Sequence, residues 1–218
     1  MKFLYVTVLV PALADWVAVA RGHRRLERVA KPATVAVLMV VTAVAWEGER
    51  GGPFIATMLA LTFSLAGDVF LMQDRDLLLP GLVAFFAAHL SYIAAFGGAV
   101  LSPYSVFIGT TLVLISGPLF LAVRQGLQRS NRTRLIVPVL AYVVVISVMV
   151  LTALTSPGAN DWSRGSILAA ALGAGLFYTS DALIGLHRFV RELPWARGAI
   201  MVTYHLGQIG LVYSLAYR

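Results

Sequence analysis

Eight apolar stretches, most of them long enough to cross a bilayer as a helix, constrain the fold more than any other feature of this sequence. They cover approximately residues 3–20, 33–46, 54–72, 78–97, 104–123, 134–153, 165–186 and 198–217. A helix needs about 20 mostly apolar residues to span the hydrocarbon core of a membrane. Only 12% of the residues are charged and 59% are hydrophobic, which is far from the composition of a soluble domain. The sequence therefore predicts one all-α integral membrane domain over residues 1–218, a polytopic transmembrane helix bundle of about eight helices.

Lysine and arginine are divided unevenly between the two ends of these predicted helices. Thirteen of the 17 follow helices 1, 3, 5 and 7: Arg21, Arg24, Arg25, Arg28, Lys31, Arg75, Arg124, Arg129, Arg132, Arg134, Arg188, Arg191 and Arg197. Because cytoplasmic loops are enriched in basic residues, we expect a multi-pass protein of the inner (plasma) membrane with both termini outside the cytoplasm. The net charge of +7 is then explained by topology and anionic lipid, and no nucleic-acid partner is expected.

The second apolar stretch is short for a membrane span. We therefore expect its helix to begin near Lys31 and Pro32, with Pro32 in the first helical turn, where its missing N–H costs nothing. Lys31 would then cap this helix at the inner surface of the membrane.

Two pairs of short segments suggest an internal repeat. SLAGDVFLM in helix 3 resembles FYTSDALIGL in helix 7, and AAHLSYI in helix 4 resembles TYHLGQI in helix 8. The spacing from aspartate to histidine is 21 residues in the first case and 24 in the second. Two four-helix halves in parallel orientation would produce this pattern. Small residues in helices 3, 7 and 8, including Gly173 and Gly207, are assigned to close helix packing.

Asp68 and Asp181 lie within otherwise apolar spans. A carboxylate in hydrocarbon is costly even on lenient scales, so such residues usually mark a functional site. The alternative is that each aspartate belongs to an ion pair that ties two helices together. We favour the functional interpretation, because no lysine or arginine lies inside the predicted spans to form such a pair.

Further polar side chains are predicted to converge on the cytoplasmic half of the bundle. The candidate binding residues are Lys31, His89, Tyr92, Tyr178, Ser180, Tyr204 and Gln208. Tyr204 and Gln208 are four residues apart, so they share one helix face. Polar groups from several helices that meet at one depth indicate a pocket. The alternatives are interfacial anchoring for Tyr92 and Tyr178 and a helix–helix hydrogen bond for His89.

Two other polar residues within the spans are assigned structural roles. Asp15 lies close to the first basic loop, and we expect it to pair with Arg21 or Arg24. His205 points partly away from the face shared by Tyr204 and Gln208, so we expect it to support the fold.

The motifs of several enzyme classes are missing from the sequence. The helices contain no HxxxH or HExxH spacing, which disfavours a zinc enzyme, and neither a GxSxG motif nor a glycine-rich phosphate loop occurs. Asp68 and Asp181 therefore remain as the candidate catalytic groups. In an apolar pocket one carboxyl can stay protonated as a general acid while the other acts as a base, which suits hydrolysis of an acid-labile C–O bond. A carboxylate proton pathway would use the same residues.

An ordered set of short motifs runs through nearly the whole chain: Lys31-Pro32, Gly67-Asp68 followed by Phe70-Leu71-Met72, His89 with Tyr92, Ser180-Asp181, and Tyr204 with Gln208. This set resembles the YhhN/TMEM86 family of membrane proteins, which includes lysoplasmalogenases. The resemblance implies eight helices and hydrolysis of the vinyl ether bond of lysoplasmalogens to a fatty aldehyde and a glycerophospho-ethanolamine or -choline. It also implies that no metal or other cofactor is needed.

The resemblance gives each candidate residue a hypothetical role. Asp68 and Asp181 would be the proton donor and the water-activating base, in an order the sequence does not assign. His89, Tyr92, Tyr204 and Gln208 would bind the glycerol or orient water, and Lys31, with Arg188, would meet the phosphate of a lysophospholipid. Another ether or ester lysolipid remains open as the substrate, and the oligomeric state is unknown. Two rival functions also remain: a small proton-coupled transporter that uses the aspartates, and a lipid-binding sensor.

Overall fold

Every secondary-structure element of the described residues is helical. A computed structural model describes residues 2–73, 76–160 and 162–218. The α-helices are α1 (Leu9–Ala20), α2 (Arg24–Ala45), α3 (Gly52–Leu71), α4 (Leu78–Phe96), α5 (Pro103–Arg129), α6 (Ile136–Ala159), α7 (Arg164–Phe189) and α8 (Ala196–Ala216). Short 3-10 segments, Lys2–Val8 and Thr133–Leu135, precede α1 and α6. When the 3-10 turns from residue 3 are counted with α1, eight helices in these ranges are long and apolar enough to cross a membrane, which confirms the predicted all-α polytopic bundle.

Ion pairs between connections show which helix ends lie together. Arg197 at the start of α8 pairs with Glu27 in the first turn of α2, with 2.7 Å between Nη2 and Oε2. Asp76, just before α4, pairs with Arg132 before α6 and with Arg188 near the end of α7. The connections α1–α2, α3–α4, α5–α6 and α7–α8 therefore share one end of the bundle, which is called the basic end below.

The predicted start of the second helix is wrong. Helix α2 begins at Arg24, so Lys31 and Pro32 lie within it rather than at its first turn. Lys31 is therefore about 10 Å along the helix from its first residue. The turns before Pro32 are rich in arginine, and hydropathy does not count such turns as part of a span although arginine is a good helix former.

Helices α5 and α7 also extend beyond the predicted spans. They continue to Arg129 and Phe189, so several arginines assigned to loops lie in the last turns of these helices. Arg75, which the sequence places in the α3–α4 connection, lies outside the described residues.

Glycines allow α7 and α8 to pack with their backbones in contact. A Cβ atom added to Gly207 would lie 2.7 Å from the amide nitrogen of Phe177, and one added to Gly173 would lie 2.5 Å from that of Leu211. Both distances are shorter than van der Waals contact, so these positions accept no side chain without movement of a helix. The predicted packing role of Gly173 and Gly207 is confirmed.

We expect Gly207→Ala to destabilise the bundle by roughly 1–3 kcal/mol, because the added methyl group overlaps the backbone of α7. Gly198→Ala is the matched control, since this glycine is also in α8 and a Cβ there meets no atom within 4 Å. Thermal unfolding of the two purified variants in the same detergent measures the difference. Equal melting temperatures would show that the close approach of α7 and α8 is not required.

Candidate active site

Asp181, in the second half of α7, lies at the centre of a group of polar side chains. Tyr142 of α6 donates a hydrogen bond from Oη to Asp181 Oδ2 at 2.6 Å. His89 of α4 places Nε2 3.0 Å from Tyr142 Oη and 3.3 Å from Asp181 Oδ2. No described residue hydrogen-bonds the other carboxyl oxygen, Oδ1, and the Asp181 side chain is 11% exposed. One oxygen of Asp181 is thus held in place, while the other has no partner among the described residues.

A mainly apolar cavity begins at Asp181. It lies among α4, α5, α6 and α7 and extends to the basic end, where residues at the helix ends form its walls. Its lining includes Leu71, Leu78, Phe85, Val123, Leu135 and Phe189. Asp181, Tyr142 and Tyr178 are the polar residues of this lining. The Asp181 carboxyl group therefore faces a mainly apolar cavity.

An apolar groove between α5 and α6 continues from this cavity. Phe120 and Val143 line both spaces. From Phe120 the groove follows α5 to Gly109, a rise of about 16 Å along the helix. Ser116 and Gly117 are small residues on its α5 side, and they leave room that larger side chains would fill.

Asp68, near the end of α3, lies in a second polar group that is sealed from solvent. Lys31 places Nζ 3.0 Å from Asp68 Oδ1, and Tyr204 donates from Oη to Oδ2 at 2.8 Å. Gln208 Nε2 donates to Tyr204 Oη at 3.4 Å, and Tyr92 donates a short hydrogen bond to Gln208 Oε1. All five side chains are buried. Four helices, α2, α3, α4 and α8, thus meet through one connected chain of contacts.

The ion pair corrects two expectations from the sequence. Lys31 is a basic partner for Asp68 within a span, and it escaped prediction because the start of α2 was placed too late. Lys31 is also only 5% exposed, so its ammonium group faces Asp68 rather than the membrane surface. Asp68 is fully buried and is not part of the lining of the Asp181 cavity, so the two aspartates do not line one chamber in the described residues.

An aromatic ring connects the two polar groups. Phe177 of α7 contacts His89 and Tyr204 edge-to-face, with ring centroids 5.1 Å and 5.5 Å apart. Phe177 is fully buried. The Asp68 and Asp181 groups therefore share one wall, although they do not share a cavity.

Two of the predicted binding residues have their hydroxyl groups occupied elsewhere. Ser180 is buried and donates to the carbonyl oxygen of Ile200 at 3.2 Å, which ties α7 to α8. Tyr178 lines the Asp181 cavity, and its hydroxyl group lies 2.7 Å from Ser116 Oγ on α5. Tyr178 is thus part of the cavity wall, while Ser180 serves helix packing.

Asp15 of α1 and His205 of α8 are two further buried polar residues. Asp15 is fully buried, and no described residue hydrogen-bonds either of its carboxyl oxygens. The predicted pairing with Arg21 or Arg24 is therefore wrong. His205 accepts a hydrogen bond from Trp16 Nε1 at 3.1 Å through Nδ1, which ties α8 to α1 and agrees with the structural role predicted for it.

The sequence analysis missed Tyr142, Arg132 and Asp76. Tyr142 had a usable signal, because a tyrosine well inside an apolar helix usually needs a partner for its hydroxyl group. Arg132 and Asp76 lie in connections, where no helical period indicates which side chains meet. Within the described residues, no three histidine, aspartate or glutamate side chains converge on a point that could hold a metal ion.

Sequence comparisons relate the chain to known lysoplasmalogenases. Human lysoplasmalogenase TMEM86B is 32% identical over 155 residues, which are 71% of this chain and 61% of the human protein. Human lysoplasmalogenase TMEM86A is 32% identical over 72% of this chain and 63% of its own length. A lysoplasmalogenase from Mycobacterium tuberculosis is 32% identical over 78% of this chain and 62% of its own length. The chain thus spans less than two thirds of the length of these relatives.

No solved structure matches the chain. The sequence profile of the YhhN family matches residues 26–215, a range that begins at the first turn of α2 and ends in the last turn of α8. It includes Asp68 and Asp181 and the described side chains that hydrogen-bond or pair with them. The chain therefore belongs to the YhhN family.

Proposed function

We propose that this protein is a lysoplasmalogenase-like hydrolase that cleaves the vinyl ether bond of a lysoplasmalogen. The products are a fatty aldehyde and a glycerophospho-ethanolamine or -choline. The observation that carries the proposal is a carboxyl oxygen of Asp181 that no described residue hydrogen-bonds, at the wall of an apolar cavity in a membrane bundle. The relatives named lysoplasmalogenase support it, since they match 71–78% of this chain.

Asp181 is the proton-transfer group in this proposal. Protonated Oδ1 gives its proton to the β-carbon of the vinyl ether, and the ether oxygen shares the positive charge that forms on the adjacent carbon. The carboxylate stabilises this oxocarbenium ion and then takes a proton from the water that attacks it. The resulting hemiacetal collapses, as its hydroxyl proton moves to the departing glycerol oxygen. One water is consumed, and Asp181 is again protonated.

Tyr142 and His89 orient the carboxyl group for this step. The 2.6 Å hydrogen bond from Tyr142 fixes Oδ2, so Oδ1 is the oxygen that is free to exchange a proton. His89 contacts both Tyr142 and Asp181 and therefore limits the rotation of both side chains. A group held close to its productive geometry reacts faster than one that must first be ordered.

Asp68 and Lys31 have a positioning role, which differs from the catalytic role that the sequence suggested for Asp68. Their ion pair joins α2 to α3, and the hydrogen bond from Tyr204 adds α8. Because Tyr204 contacts Phe177, this group supports the wall on which His89 also packs. We propose that it holds α4 and α7 at the separation that the Asp181 group needs.

The α5–α6 groove holds the hydrocarbon chain of the substrate. It continues from the Asp181 cavity through Phe120 and Val143, so a chain that starts at the vinyl ether can follow α5 away from the basic end. The groove follows α5 for about 16 Å, so it accommodates a chain of limited length.

The uneven distribution of basic residues supports an orientation. We propose that the basic end faces the cytoplasm and that both termini lie on the other side of an inner (plasma) membrane. The Asp181 cavity extends to the basic end, so the cytoplasmic leaflet would supply the substrate.

We expect Asp181→Asn to lower aldehyde release by at least about 100-fold, because an amide cannot exchange the proton. Thr179→Ala is the matched control, since Thr179 is exposed on the same helix and its hydroxyl donates to the carbonyl oxygen of Gly175, one turn earlier. Mass spectrometry of products from lysoplasmalogen and detergent-solubilised protein gives the rate without any ion gradient. Full activity of Asp181→Asn would exclude the proposed mechanism, and transport without aldehyde release would favour the proton-coupled carrier.

We expect Lys31→Met to lower the free energy of unfolding by roughly 3–5 kcal/mol, because it leaves a buried carboxylate without its cation. Lys31→Met combined with Asp68→Asn should recover much of this loss, since the remaining groups are neutral. Unfolding in detergent measures both variants.

Aldehyde release should survive in part in folded Asp68→Asn protein. A loss as complete as in Asp181→Asn would show that Asp68 is catalytic.

We expect Gly117→Leu to lower kcat/KM for long-chain lysoplasmalogens by roughly tenfold while short-chain substrates are little affected, because leucine fills the groove beside α6. Gly175→Leu is the matched control on α7, where a Cβ also meets no atom within 4 Å. Rates over a series of chain lengths measure the effect. An equal loss at every length would show that the chain lies elsewhere.

A further inference from the structure

A polar recess opens at the basic end, beside the Asp181 cavity. Arg132 places Nη1 3.0 Å from Asp76 Oδ2, and Arg188 places Nη2 2.6 Å from Asp76 Oδ1. These three side chains line the recess and come from the connections α3–α4 and α5–α6 and from the end of α7. Two guanidinium groups thus share one carboxylate, so the three side chains together carry one net positive charge.

The recess and the cavity are neighbours with a common wall. Leu71 and Leu78 line both spaces. Arg188 and Asp181 are seven residues apart on α7, which puts them two turns apart on the same face, about 10 Å along the axis. A molecule in the cavity with its reacting bond at Asp181 therefore has its polar end near Arg188.

The side chains of the recess are accessible to solvent, whereas Lys31, which the sequence analysis expected to bind phosphate, is not. The side chains of Arg132, Arg188 and Asp76 are 43%, 37% and 50% exposed, whereas Lys31 is buried against Asp68. The guanidinium group binds phosphate oxygens through paired N–H donors, and each arginine has more donors than its single contact with Asp76 uses. The spare donors and the net charge suit a singly charged phosphodiester.

We propose that Arg132 and Arg188 form the subsite for the phosphate of a single-chain ether phospholipid, with Asp76 holding the two guanidinium groups at a fixed separation. This inference rests on the proposed function for the identity of the lipid. The order of groups along the protein then matches the order along the lipid: phosphate in the recess, ether oxygen near Asp181, and hydrocarbon chain in the cavity and groove.

Binding of lipids that the enzyme cannot cleave tests the subsite separately from catalysis. The first probe is a saturated 1-O-alkyl glycerophosphocholine, which lacks the double bond that must be protonated. The second is the corresponding 1-O-alkylglycerol, which lacks the phosphate. We expect Arg132→Gln and Arg188→Gln each to weaken binding of the phospholipid by about tenfold or more and to leave binding of the alkylglycerol unchanged. Arg129→Gln, an exposed arginine in the last turn of α5, is the matched control and should change neither.

Three outcomes would overturn the subsite. The first is unchanged phospholipid binding in both variants, and the second is an equal loss of binding for the two probes. The third is displacement of the phospholipid by inorganic phosphate alone, which would indicate a site for free anions rather than for the lipid. Aldehyde release by the wild-type protein is measured in parallel. If the phosphate-dependent difference appears but no aldehyde forms, the subsite stands and the proposed hydrolase function fails. If aldehyde forms without that difference, the hydrolase stands and the subsite fails.

Discussion

The intramembrane carboxyl groups of Asp68 and Asp181 need polar partners, and the contacts that meet this need organise the bundle. In an apolar interior an isolated carboxylate is far more costly than one with a cation or hydrogen-bond donors. Asp68 meets the need with Lys31 of α2 and Tyr204 of α8. Asp181 meets it with Tyr142 of α6 and His89 of α4. The two aspartates thus tie together six helices, including pairs that are distant in sequence.

The two carboxyl groups occupy corresponding places in the suggested repeat, but their surroundings differ. Aligning AAHLSYI with TYHLGQI places Tyr92 opposite Gln208, and these two side chains hydrogen-bond each other, as residues near an axis between two halves would. In the suggested repeat α3 corresponds to α7, and α4 corresponds to α8. Asp68 of α3 contacts α8 in the other half, and Asp181 of α7 contacts α4 in the first half. Asp68 pairs with a lysine and lines no cavity among the described residues, whereas Asp181 contacts a tyrosine and a histidine and lines a cavity. One position thus suits structural support and the other proton transfer.

Much of the site follows from helical period and polarity, and the rest depends on contacts that these do not encode. The sequence identified both aspartates, and it grouped Tyr204 with Gln208 because residues four apart share a face. It missed the contact of Lys31 with Asp68, since hydropathy marks where a chain becomes apolar and not where a helix begins. It gave no reason to join Asp76 to Arg132, because both lie outside the α-helices and meet only through the packing of α3–α6.

The placement of Arg188 and Asp181 on one helix has a consequence for substrate selection. Their separation along α7 is set by helix geometry, so movement of a connection changes the position of Arg132 or Asp76 but not the distance between Asp181 and the backbone of Arg188. A lipid whose phosphate binds at Arg188 then presents the bond at a fixed distance from that phosphate to the Asp181 carboxyl group. The part of the headgroup beyond the phosphate does not lie between Arg188 and Asp181. The proposed mechanism therefore accepts ethanolamine and choline alike.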